Sequence, residues 1–182
     1  MNSMGQDIGV FLVGTLFSIY ITIVMLRMLL AWARADFYNP LSQAIVKLTN
    51  PLVVPLRRII PSIGKIDTAA LLLLLALKVV QLSLLALIGG GGVPLLLILY
   101  VAVVQLVELC IYIFIFALII QAILSWVSPG YGNPLASVLY SLTEPLLRPI
   151  RRIVPPAGMI DFSSMVAIIL LYVLLIALQH LL

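Results

Sequence analysis

The chain has 182 residues, 64% of them apolar and 9% charged, with ten Lys and Arg against six Asp and Glu for a net charge of +4. So little polar surface cannot cover a water-soluble domain of this length, which excludes a soluble enzyme or binding module and indicates an integral membrane protein. Without an extramembrane domain or an aromatic basic patch, the positive balance gives no reason to expect a nucleic-acid partner.

The charges are clustered and leave uncharged runs at 8–26, 79–107, 109–143 and 162–182. About 20 apolar helical residues suffice to cross ~30 Å of hydrocarbon, so four spans are expected, near 8–33, 68–88, 94–127 and 163–182. The first lacks a basic start and a small-residue cleavage site and reads as a retained helix, not a signal peptide. The third exceeds what a bilayer needs and must tilt, kink or lie partly along an interface.

Between the first two spans, Asn39 is a candidate N-cap for a helix opened by Pro40, since asparagine accepts an orphan amide and proline needs no donor there. Leu41, Ala44, Ile45 and Leu48 follow at i, i+3, i+4, i+7, the pattern of an amphipathic helix lying on the membrane. Pro51 is expected to end it, with Pro55 and Pro61 preventing any uninterrupted helix beyond. Gly64 makes the last turn, and Asp67 stands where a carboxylate caps the next span.

The same series recurs 94 residues later. Residues 27–67 and 121–161 align without a gap and share 17 of 41 positions, among them N-P-L, L-T-x-P-L-x-x-P-x-R-R-I and G-x-I-D. Asn133, Pro145, Pro149, Gly158 and Asp161 repeat Asn39, Pro51, Pro55, Gly64 and Asp67, and Leu135, Val138, Leu139 and Leu142 repeat the apolar face. The chain is therefore divided into a first repeat, 1–88, an external glycine-rich hairpin, 89–93, and a second repeat, 94–182. The fold class is all-α integral membrane: four transmembrane helices in two tandem parallel repeats, each with a cytoplasmic amphipathic helix and a Pro/Arg-rich segment, and a pseudo-twofold along the membrane normal is expected.

Orientation follows from the basic residues. Arg34, Lys47, Arg57, Arg58 and Lys65 lie between the first two spans, and Arg148, Arg151 and Arg152 between the last two. The positive-inside rule places both loops in the cytoplasm and both termini outside. Three roles are open to the Arg-Arg pairs: topology determinant and headgroup anchor, docking surface for a protein partner, or lining of a vestibule for ions or lipids. Glu144 is expected to pair with Arg148 four residues on.

Lys78 and Glu108 fall well inside spans 2 and 3, where a charge costs on the order of 2.5 to 3.5 kcal/mol unless neutralised. Gln81 and Gln105 lie three residues from them, so each helix offers a stripe of one charge and one amide. Mutual neutralisation of Lys78 and Glu108 is the economical expectation, and three readings are open: a structural pair, a polar track for ions or protons, or unrelated snorkelling groups. Arg27, near the end of span 1, is expected to snorkel beside Trp32, and Gln121 replaces it in the second repeat.

Enzymatic chemistry finds little support. Cys110 and His180 are the single cysteine and histidine, on different helices, so neither a thiol–histidine nucleophile nor a zinc or paired-histidine haem site can form within one protomer. No phosphate-cradling motif is present. No enzyme activity and no cofactor are expected.

W-A-R-A-D-F-Y-N-P-L-S-Q at 32–43, L-T-N-P-L-V-V-P-L-R-R-I-I-P-S-I-G-K-I-D at 48–67 and L-T-E-P-L-L-R-P-I-R-R-I-V-P-P-A-G-M-I-D at 142–161 resemble the two repeats of the bacterial YggT family. The resemblance covers nearly the whole chain; Ala157, Met159 and Ser164 depart from the second-repeat pattern. It implies a small inner-membrane protein tied to osmotic-stress tolerance and ion homeostasis, with YlmG-type relatives associated with cell division and plastid relatives with nucleoid distribution or cytochrome assembly. Fold alone does not choose among these. A non-enzymatic membrane adaptor or organiser leads, with an ion channel or transport-related protein, and more weakly an assembly factor for a membrane complex, as alternatives. The implied partners are membrane lipids with anionic headgroups, a second copy of the chain, or a membrane or cytoplasmic protein.

Overall fold

A computed structural model describes residues 4–35, 37–61, 67–127, 133–153 and 162–180, with their side chains except at 125–127. Among them the chain forms six helices and no strand: α1 (Met4–Trp32), α2 (Pro40–Ile59), α3 (Thr68–Ile88), α4 (Leu95–Val127), α5 (Pro134–Ile153) and α6 (Phe162–Gln179). Helices α1, α3, α4 and α6 are long and apolar enough to cross a membrane. Their outward side chains, such as Phe11, Leu96, Phe116 and Val173, stay exposed, as lipid-facing positions do, and four such helices fit a multi-pass membrane protein.

Each repeat packs its first span against its short helix and its return span, α1 with α2 and α3, and α4 with α5 and α6. The repeats join through α3 and α4. A twofold would then require α6 against α1, and among the described residues those two do not touch. The expected pseudo-twofold is therefore not realised in the packing. Helix α4 is instead the central span, with α1, α3, α5 and α6 all against it, and it is the most buried of the four. Its 33 residues run unbroken, about 50 Å at ~1.5 Å per residue.

Two span ends share one stop. After α3, the Gly90 amide bonds Leu87 O and the Gly91 amide bonds Ala86 O, with Gly90 at φ 75°. After α1, the Arg34 amide bonds Ala31 O and the Ala35 amide bonds Leu30 O, with Arg34 at φ 53°. Both are Schellman caps. The second carries its usual apolar contact pair in Leu30 and Ala35, both buried, and that contact holds a non-glycine residue in the left-handed region.

The expected break at Pro51 does not occur. Helix α2 runs through Pro51 and Pro55 to Ile59, and α5 through Pro145 and Pro149 to Ile153. Each proline frees the carbonyl four residues back, here Lys47 O and Pro51 O in α2. Lys47, Pro51 and Pro55 all lie on the exposed side, where the freed oxygens are not enclosed by protein and the helix survives. The opposite side, Ser42, Thr49 and Val53, is buried.

The two short helices are not seated alike. In α2 the apolar residues Leu41, Leu48 and Leu52 remain exposed as a stripe, whereas in α5 Val138, Leu139 and Leu142 are buried in the core. The two apolar faces that match in sequence are thus left open in α2 and covered in α5. Val53 and its counterpart Leu147 are each fully buried and anchor the two helices in equivalent ways.

Asn39 accepts the Leu41 amide at 2.9 Å and opens α2, and Asn133 accepts the Leu135 amide at 2.9 Å and opens α5. Asn39 also donates through Nδ2 to Pro134 O at 2.7 Å, tying the starts of the two short helices together. Asp67 accepts the Ala70 amide at 3.3 Å and caps α3, while both its oxygens take hydrogen bonds from Arg57. Asp161, Gly64 and Gly158 lie outside the described residues. Burial raises the Asp67 carboxyl, but the Arg57 hydrogen bonds, the Ala70 amide and attraction by Arg57 and Arg27 outweigh it and hold the group below the ordinary carboxylate value.

A carboxylate depressed in the folded state contributes stability present above its unfolded value, about 3.9, and lost as pH falls through the folded one. Thermal unfolding in detergent should therefore show wild type losing its advantage over Asp67→Asn below about pH 4. Asparagine keeps the cap, so Asp67→Ala should cost about 1 kcal/mol more at neutral pH. A constant gap between wild type and Asp67→Asn down to acid pH would contradict the ion-pair contribution.

Candidate functional site

The end of α1 is fastened to the middle of α2 by a buried guanidinium. Arg27, 4% exposed, donates through Nη1 to Thr49 Oγ1 at 2.7 Å, Asn50 Oδ1 at 2.9 Å and Val46 O at 3.4 Å. Thr49 accepts from Arg27 while giving its own proton to Ile45 O at 2.7 Å. The expected snorkelling beside Trp32 is thus corrected: α2 folds over Arg27 and supplies the acceptors itself. Trp32 packs edge-on against Phe114 of the second repeat, ring centres 6.3 Å apart. At the matching place in repeat 2, Thr143 Oγ1 lies 2.5 Å from Gln121 Oε1 and 2.9 Å from Leu139 O, so a neutral amide occupies the position of the guanidinium.

Beside this junction an open cleft of about 840 Å³ runs between α1 and α2. Arg27, Lys47 and Arg57 line it together with Gln43 and Asn50, and Phe37, Val46 and Val54 form an apolar wall. Arg57 reaches the cleft from the last turn of α2 while held by Asp67, and its side chain remains about half exposed. Arg58 and Arg152 point outward and are exposed, as is Arg148. The expected Glu144–Arg148 pair is replaced by Glu144–Arg151 at 2.8 Å. Because α5 continues through its prolines, residues 144 and 151 stand two turns apart on one face, within reach of a long arginine.

A second cluster lies between α1, α3 and α4. Lys78 and Glu108 do not form a salt bridge, contrary to the expected direct meeting, but both line one cavity of about 210 Å³ with Ser18, Thr22, Gln105 and Tyr112. Lys78 Nζ donates to Gln81 Oε1 at 3.0 Å, and Gln81 Nε2 donates to Gly14 O and Ser18 Oγ, each at 3.0 Å. The stripe on α3 is therefore satisfied largely by α1. Gly14 and Ser18, four residues apart, supply these two acceptors from one face of α1, and the serine one turn after the glycine was the available sequence signal. Among the described residues no three His, Cys, Asp or Glu side chains gather where a metal ion could be held; Cys110 is a partly buried free thiol and His180 follows the end of α6.

A family model described as CCB3/YggT matches this chain twice, over residues 6–88 and 100–182. An uncharacterized protein from the proC 3′ region of Vibrio alginolyticus is 46% identical over 171 residues, 93% of this chain and 89% of the relative. The uncharacterized protein YggT of Escherichia coli K12 is 43% identical over 165 residues, 90% of this chain and 85% of its own. The uncharacterized protein PA0392 of Pseudomonas aeruginosa is 43% identical over 165 residues, 90% and 84% of the two chains. No solved structure matches the chain. With both halves matched in tandem and relatives alike over nearly their full length, this chain belongs to the CCB3/YggT family.

Proposed function

We propose that the chain is a non-enzymatic organiser of the bacterial inner membrane, with both Arg-rich loops in the cytoplasm and the termini outside, acting in osmotic-stress tolerance and ion homeostasis as the family resemblance suggests. One observation carries this reading. Helix α2 exposes Leu41, Leu48 and Leu52 along one side and ends on Arg57 and Arg58, the combination by which an interfacial helix seats in acyl chains and grips anionic headgroups. Each cation near an anionic leaflet contributes about 1 kcal/mol. Arg58, Arg148 and Arg152 stand clear of the Arg57–Asp67 and Arg151–Glu144 ion pairs, so removing Arg58 and Arg152, the second arginine of each Arg-Arg pair, separates contact from folding.

Replacing Arg58 and Arg152 together by glutamine should abolish complementation of a null strain under hyperosmotic stress, while membrane insertion and the melting temperature in detergent stay within about 2 °C of wild type, as surface substitutions normally do. Full complementation by that double variant would remove the organiser reading.

The cavity flanked by Lys78 and Glu108 supports a second reading, ion handling. Its volume of about 210 Å³ accommodates several waters at roughly 30 Å³ each, beside two opposite charges. On this reading, proteoliposomes carrying the protein release potassium after an osmotic step faster than empty vesicles, and Lys78→Met changes the rate severalfold. Absence of flux from well-folded protein would remove ion handling.

A further inference from the structure

The positions that line the cleft between α1 and α2 and the positions 94 residues later have diverged in charge. Among the described residues, three cations line the cleft, Arg27, Lys47 and Arg57, and no carboxylate does; Asp67, bonded to Arg57, reduces the excess from three positive charges to two. At the positions 94 residues later stand Gln121, Ser141 and Arg151, with Arg148 in place of Val54, and the residue matching Asn50 is Glu144, which is bonded to Arg151 at 2.8 Å. Within the short helix itself, α5 carries an anion, Glu144, and α2 carries none.

We propose that the first-repeat cleft binds the phosphate oxyanion of an anionic membrane lipid, and that the matching positions of the second repeat, where Gln121 and Ser141 replace two of the cations and Glu144 adds an anion, do not. The proposal deepens the organiser reading above and rests on it for the presence of a lipid leaflet at this level. Arg27 is preorganised, its position fixed by Thr49, Asn50 and Val46 O before any ligand arrives, so little side-chain freedom is lost on binding. Lys47 contributes an exposed ammonium and Arg57 a guanidinium already aligned by Asp67. With Oδ1 taken by Arg27, Asn50 offers its Nδ2 as a further donor. Guanidinium, ammonium and amide donors lining one cleft suit the oxyanion of a phosphate group.

The apolar wall names the rest of the ligand. Phe37, Val46 and Val54 line the cleft beside the cations, and the exposed Leu48 and Leu52 continue from it along α2. A free inorganic phosphate uses none of this surface; a phosphate attached to acyl chains uses all of it. The source is thus a glycerophospholipid of net negative charge.

The test uses the full-length protein purified in detergent and native mass spectrometry with added phosphatidylglycerol, phosphatidylcholine or inorganic phosphate. Wild type should retain phosphatidylglycerol in preference to phosphatidylcholine. Lys47→Gln should weaken that retention about fivefold, the size expected for one interfacial cation. Asn50→Glu, which keeps an acceptor for Arg27 while installing the acid of the second repeat, should weaken it more. Arg148→Gln should leave it unchanged, and melting curves of all variants report that each is folded.

Equal retention of the two lipids, wild-type retention by both Lys47→Gln and Asn50→Glu, or equal loss in Arg148→Gln would each overturn the cleft. Displacement of phosphatidylglycerol by millimolar phosphate would overturn the lipid assignment in favour of a soluble oxyanion. Complementation by the Arg58→Gln, Arg152→Gln double variant removes the organiser reading without touching these retention data, so the two failures are read separately.

Discussion

A positive charge held inside the protein at the end of a span sets the terms for the rest of this structure. Arg27 cannot stay solvated where α2 covers it, and an unpaired cation at that depth costs several kcal/mol. Thr49, Asn50 and Val46 O meet the requirement from one turn of α2, which fixes the rotation and height of that helix on α1. Once α2 is placed, its prolines fall on the outside, its leucine stripe stays open, and Arg57 arrives where Asp67 can both bind it and cap α3. A single buried guanidinium thereby connects the span, the short helix and the start of the return span.

The duplication makes the chain its own comparison. Thr49 and Thr143 are both fully buried, and both bond back to the carbonyl four residues earlier, so the threonine belongs to the shared scaffold. The partners differ: Arg27 with Asn50 in one copy, Gln121 with Glu144 in the other. Charge has moved from the span to the short helix between copies. The apolar seat differs too, because α5 buries Leu142 where α2 exposes Leu48. One copy has become the more internal half, which agrees with α4 as the central span.

Spans, repeat and caps were legible because they depend on local chemistry: uncharged length, asparagine before proline, and aspartate before an apolar run. What escaped the sequence depended on which side of a helix faced the interior. Proline is a breaker when its freed carbonyl is buried, and nothing in the residues around Pro51 says that this side is outermost. Arg27 reads as a snorkelling residue if α1 ends in open water, and only the fold of α2 shows otherwise. Lys78 and Glu108 were placed on the right helices and share a cavity wall, yet Gln81 turned to Gly14 and Ser18 on α1, which offer it a backbone carbonyl and a hydroxyl. The twofold failed for a similar reason: sequence symmetry fixes the content of each repeat but not which faces of two copies meet.

The continuity of α2 and α5 has a consequence for how such a protein can change over evolutionary time. Both helices contain 20 residues, and in an unbroken helix each inserted residue turns everything after it by about 100°. An insertion between Thr49 and Arg57 would swing the arginine away from Asp67 while leaving Thr49 on Arg27, so the two attachments could not both survive. A flexible loop of equal length would absorb the same insertion without effect. The segment with the most prolines is thus the one where length cannot drift, which accounts for two copies that have exchanged more than half of their aligned residues and still match without a gap.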